Sequence, residues 1–146
     1  MTLRATSFAR RGFVMEQPWE TVHLEAQERH LRRKLIALAN GTEVLVDFEK
    51  PVQLKDGDYL VLEDGRLLRV AALPEDLLEV RGQDATHLAR LAWHIGNRHL
   101  EAQIESERIL IRPDHVIAAM LEGLGARITP VRETFSPESG AYAHAH

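Results

Sequence analysis

Apolar residues along this chain keep two different periods. Up to about residue 72 they alternate or fall in short blocks between turn residues, and from about residue 84 they recur every three to four positions. In residues 21–26, Val22, Leu24 and Ala26 lie on one side, with His23 and Glu25 on the other, which predicts a half-buried strand. Residues 35–38 and 42–48 flank Asn40-Gly41, a pair that accepts the positive φ of a tight hairpin turn. Pro51 is expected to end this hairpin, because it cannot donate to a ladder. Asp56-Gly57 and Asp64-Gly65 bracket two further strands, 59–62 and 66–70. Strands and turns spaced this way predict a small β-barrel or sandwich. Residues 27–34 carry Arg29, His30, Arg32, Arg33 and Lys34 and read as a solvated loop or strand edge, ahead of a basic partner-binding patch. No element is assigned to the N-terminal residues 1–11.

The period changes beyond a joint at Leu73-Pro74-Glu75-Asp76. Residues 77–81 read as a strand. Asp84 can cap a helix over 84–95, with Leu88, Leu91, Ala92 and Ile95 at i, i+3, i+4 and i+7. Gly96-Asn97 is expected to stop it. Strands are predicted at 100–105 and 109–111, around a turn at 106–108. Pro113-Asp114 then marks a second helix start. Val116, Ile117, Met120, Leu121 and Leu124 give it one apolar face, and Gly123 and Gly125 supply its exit. A last strand follows at 127–131, placed at a sheet edge by Pro130. The order β-α-β-β-α-β is that of ferredoxin-like folds, two helices on one face of a four-stranded antiparallel sheet. The fold class is therefore α+β. The expected domains are a β-rich domain at 1–73 and a ferredoxin-like domain at 74–135. A flexible histidine-containing tail is expected at 136–146.

Composition narrows the chemistry. The chain has 146 residues, 45% of them apolar, which suits one ordinary domain or two small ones. A formal net charge of -4 argues against a nucleic-acid partner. With no cysteine, disulfides and thiolate metal sites are excluded. A transition metal would need imidazole, carboxylate or water, and imidazole suits nickel, copper and zinc. No secretory signal or membrane span is read, so a cytoplasmic protein without a membrane partner is expected.

The histidines are the informative set. His115 sits in the first turn of the second helix, off its apolar positions. It suits a metal ligand or a contact across an interface, although from this stretch alone a plain surface histidine is the commoner outcome. His87 and His94 lie two turns apart on one helix, roughly 10 Å along its axis, too far for one ion. His99 follows Gly96-Asn97-Arg98 and favours a structural role in that loop. His144 and His146 flank one alanine near the C-terminus and could take up a metal weakly, unless the pair is chance. No phosphate loop, nucleophile elbow or zinc-protease helix is present, so no enzyme is expected.

The segment Trp93-His94-Ile95-Gly96-Asn97-Arg98-His99-Leu100-Glu101-Ala102-Gln103-Ile104, followed by Asp114-His115-Val116, resembles the urease accessory nickel metallochaperone family. The turns Asn40-Gly41-Thr42-Glu43 and Leu54-Lys55-Asp56-Gly57-Asp58 are similar to that family too. The resemblance implies a cytosolic homodimer that binds Ni(II) and hands it to the urease apoprotein complex together with an accessory GTPase, with a peptide-binding-like domain at 1–73 and a metal-binding and dimerisation domain at 74–135. Zn(II) or Cu(II) would be in vitro competitors. It places the interface metal ligand at His115 and tail ligands at His144 and His146. Many members carry a long histidine run where this chain has two, which fits transfer of one ion rather than storage. Two-fold symmetry would set a second His115 opposite the first. Imidazoles titrate near ~6.5 and ligate only when neutral, so affinity is expected to fall below about pH 6. The alternative is a peptide-binding adaptor with incidental metal binding. A single-strand RNA binder is weaker still, since strands 77–81 and 109–111 lack stacking aromatics.

Overall fold

A computed structural model describes residues 2–138. The chain divides between Leu73 and Pro74 into two compact units. The first is a curled six-stranded sheet, a half-barrel. Its strands are β1 (Thr2–Ala9), β2 (Glu20–Leu24), β3 (His30–Ala37), β4 (Glu43–Gln53), β5 (Tyr59–Leu62) and β6 (Leu67–Ala72), in the order β2-β6-β5-β1-β4-β3. The expected turns are present. Ala37 pairs with Glu43 around Gly41 at φ +86°, and Gly65 turns β5 into β6 at φ +90°. Alternation buries Val22 and Leu24, with Ala26 just beyond them, against Leu31, Val44, Val46, Leu60, Leu68 and Val70.

Three features of this unit depart from expectation. β1 is a central strand between β5 and β4, and it pairs in parallel with β4. Four of its eight residues are polar, and only Ala5 is buried, so periodicity does not reveal it. Pro51 does not end β4. The β3–β4 register jumps between the Leu31–Val52 and Arg33–Asp47 pairs, so Pro51 falls in the surplus loop of a bulge, where no donor is required. Arg29 is not solvated. It is 0% exposed, and its guanidinium donates to the carbonyls of Leu24 (3.3 Å) and Leu54 (3.2 Å), tying the 25–29 turn to the end of β4. The stem of an arginine is apolar, and its head can satisfy buried carbonyls.

The second unit holds β7 (Pro74–Arg81), α1 (Ala85–Asn97), β8 (Ala102–Ile104), β9 (Ile109–Ile111), α2 (His115–Gly123) and β10 (Arg127–Thr134). All its strand pairs are antiparallel, in the order β10-β7-β9-β8. This is the expected ferredoxin-like βαββαβ, with β10 at an edge. β7 starts three residues early, at the supposed joint, because β10 pairs with it back to Pro74. Leu88, Leu91 and Ile95 of α1, with Leu121 of α2, pack against Val80, Ile109 and Ile111 on one face of the sheet. α1 ends at Asn97, in the expected Gly96-Asn97 pair, and His99 turns the chain away in the left-handed region at φ +57° with its N–H on Gly96 O at 3.0 Å.

Alternation turns Glu79, Arg81, Arg108 and Glu133 to the opposite face. There Arg108 grips Glu133 with two bonds of 2.7 Å and also reaches Glu79 at 3.0 Å and Glu105 at 3.1 Å. The neighbouring guanidinium of Arg81 is the main cause that holds the Glu79 carboxyl below its usual range. Arg108 does the same for Glu133. The charged forms are thus stabilised by folding, and that contribution is present above the unfolded carboxylate pKa, about 4.3, and lost as pH falls below it.

Two outcomes follow in chemical unfolding. Arg108→Ala should destabilise the chain by about 1–2 kcal/mol at pH 7, with the penalty shrinking toward pH 3–4 as Glu79 and Glu133 protonate. An equal penalty at both pH values would show that the ion pairs contribute nothing. Arg29→Ala should cost about 2–4 kcal/mol, because it removes a buried side chain and its bond to the Leu54 carbonyl, while Leu24 O keeps the Leu73 N–H at 2.9 Å.

Candidate metal centre

His115 is the first residue of α2 and is exposed. Its place is set by Asp114, in extended backbone, whose Oδ1 accepts the N–H groups of Val116 (2.9 Å) and Ile117 (3.1 Å). The carboxylate thereby caps two orphan donors and fixes where the helix begins. The next residue on the outside is Val116, 64% exposed. The apolar face expected on α2 is only partly buried. Leu121 is fully buried, Ile117 and Met120 pack at the margin of the core, and Val116 and Leu124 remain in solvent. A nine-residue helix turns 100° per residue, so a stripe of five apolar positions is wider than the sheet can cover.

The other histidines of this unit have local work. Nδ1 of His87 accepts the Gln83 N–H at 2.9 Å, so its Nε2 carries the proton and donates to Leu124 O at 2.8 Å. That imidazole links the start of α1 to the C-cap of α2. Gly125, at φ +92°, passes close beneath it. A Cβ there would stand 3.5 Å from the His87 ring and 3.3 Å from Gln83 Nε2. His94 is half-buried, edge-on to Trp93 with ring centroids 5.0 Å apart. His99 makes the turn after α1 described above. Among the described residues no group of three or more His, Asp or Glu side chains is placed to hold an ion. His144 and His146 lie outside the described residues.

Near His115 the structure adds residues that the sequence did not single out. Arg112 forms an ion pair with Glu101 and lies 5.0 Å over the ring of Phe135, which is fully buried. The chain keeps its contacts past the expected boundary at 136. Ser136 N donates to Gln103 Oε1 at 2.8 Å, and Glu138 N to Ala102 O at 2.9 Å. The one available signal was Phe135 followed by Pro137, two apolar residues in an otherwise polar stretch.

Chemically, one exposed imidazole on a rigid helix start can supply one metal ligand, and it needs others from elsewhere. Among the described residues no helix is long and apolar enough to cross a membrane. The family description for the N-terminal domain of the UreE urease accessory protein matches residues 9–73, and that for its C-terminal domain matches residues 75–146. The chain is similar to the urease accessory protein UreE of Brucella anthropi, 56% identical over 144 residues that cover 98% of this chain and 85% of that protein. The UreE of Rhizobium rhizogenes is 54% identical over 143 residues, with 98% and 85% covered. The UreE 1 of Brucella suis biovar 1 is 57% identical over 129 residues, with 88% and 80% covered. The chain belongs to the UreE family of urease accessory proteins.

Proposed function

We propose that this protein is a nickel metallochaperone rather than an enzyme, acting in the cytoplasm as a homodimer that delivers Ni(II) for maturation of the urease active site. The observation that carries this reading is His115: an exposed imidazole beside an exposed Val116, on a helix start fixed by the Asp114 cap. A single such donor cannot hold an ion. A two-fold axis near the α2 N-terminus would bring two imidazoles together and cover the apolar side chains next to them. His144 and His146 would then complete the shell or exchange with water, leaving an ion that can be handed on by ligand substitution. Nitrogen and oxygen donors in octahedral or tetragonal geometry suit Ni(II), and Zn(II) or Cu(II) would compete in vitro. The receiving partners would be the urease apoprotein complex and its accessory GTPase.

A second reading, a peptide-binding adaptor, is favoured by the first unit alone. Phe13 and Met15 project from the loop after β1, 85% and 98% exposed. It requires partners to be captured equally with and without nickel.

Calorimetry and solution mass test the carrier. The wild-type chain should bind about one tight Ni(II) per dimer, and His115→Ala should abolish that step without changing the fold. Tight binding that survives the substitution, or that belongs to a monomer, overturns the assignment. Ending the chain at residue 138 should weaken binding while leaving the dimer intact. Affinity should fall steeply below about pH 6, because protons compete with the metal for imidazole nitrogen; titrations at pH 5 and 7.5 read this directly.

A further inference from the structure

The run Arg32-Arg33-Lys34 has no task in the metal centre. It lies on β3, an edge strand of the first unit's sheet that pairs only with β4 among the described residues. The β3–β4 hairpin fixes which of its backbone groups are used. Leu38 N bonds Thr42 O at 2.8 Å, and the ladder continues in step through Ala37–Glu43, Ile36–Val44, Leu35–Leu45 and Lys34–Val46. Hydrogen-bonded pairs alternate along an antiparallel ladder, so Ile36 and Lys34 bond to β4. Arg33, Leu35 and Ala37 therefore turn their N–H and C=O groups to the free edge. The strand carries no proline, and the Leu35 side chain is 50% exposed.

Charge decides what this edge can accept. On the outer face one carboxylate, Asp47, is shared. Arg4 bonds it at 2.7 Å and Arg33 at 3.2 Å, and the field of Arg32 reaches it too. Lys34 is level with the buried Val46, on the core side of the strand, yet it is exposed and makes no ion pair among the described residues. The edge thus holds an excess of positive charge on a chain whose net charge is -4. Charged side chains on an edge keep like strands from pairing. A second copy of β3 would bring three cations from each chain into one ladder, and like charges side by side oppose that pairing. An acidic strand meets no such penalty. A lipid headgroup or a nucleic-acid phosphate would also meet these cations, but neither uses a row of backbone donors and acceptors beside an apolar side chain.

We propose that the free edge of β3 is a docking site for an extended acidic segment of a partner protein, which adds to the sheet as a further strand. Backbone bonds to Arg33, Leu35 and Ala37 supply the affinity. Carboxylates beside Arg32 and Lys34, with an apolar residue level with Leu35, supply the selectivity. The site uses neither Phe13 and Met15 nor His115, so it goes beyond both readings above and holds whether or not the chain carries nickel.

The test uses the full chain and a capped peptide of alternating glutamate and valine, about eight residues long so that it spans β3. A lysine–valine peptide of the same length is the control. Without peptide, the Arg33, Leu35 and Ala37 amides should exchange fast and those of Lys34 and Ile36 slowly. At about ten times its Kd, the glutamate peptide should slow the first three about tenfold, and the lysine peptide should not. The double reversal Arg32→Glu, Lys34→Glu changes only exposed side chains. It should weaken binding of the glutamate peptide at least about tenfold and let the lysine peptide bind instead. Binding that survives the reversal, or that protects none of the three edge amides, overturns the proposal. So does a chain that ignores the glutamate peptide and binds phosphatidylserine vesicles through these cations. A His115→Ala chain should take the peptide as the wild type does, which separates failure of the nickel reading from failure of this one.

Discussion

The arrangement of the second unit depends on one capping interaction at the passage from β9 into α2. Ile111 is fixed in the ladder, and three residues later the Asp114 carboxylate takes the first free N–H groups of the helix. Those donors would otherwise be unsatisfied, so the helix cannot start a residue earlier or later without cost. His115 is therefore held at a known height against the sheet. The backbone that carries this imidazole is thus held by the helix cap, not by a loop.

The two faces of the sheet are stabilised differently. The helix face is apolar, and α1 and α2 are locked to each other at one end by His87, which bonds Gln83 and Leu124. The opposite face carries the Arg108 network, whose carboxylates are drawn below their usual pKa range by the arginines they meet. The consequence is a domain whose exposed apolar side chains include Val116 and Leu124 on α2. Exposed apolar surface beside a metal-ligating residue type is what an interface between copies would use.

Much of this was legible in the chain. The Asn-Gly and Asp-Gly turns, the change of period near residue 73, the Asp84 and Asp114 caps and the βαββαβ order all follow from local chemistry, because each depends on residues adjacent in sequence. Arg29 and Pro51 were misread for a common reason. A basic residue and a proline each have a usual place, and each here is in an unusual one made by distant partners: carbonyls of Leu24 and Leu54, and a bulge opposite Arg32.

By itself the sequence determined where helices start, which turns are tight, and that a lone outward histidine would stand at a helix N-terminus, since caps and positive-φ turns are set within a few residues. Only the tertiary structure decided that β1 lies at the centre of its sheet, that α2 leaves Val116 and Leu124 uncovered, and that Ser136 and Glu138 bond back to β8. Those outcomes rest on strand order and register, which join residues tens of positions apart and which no local period encodes.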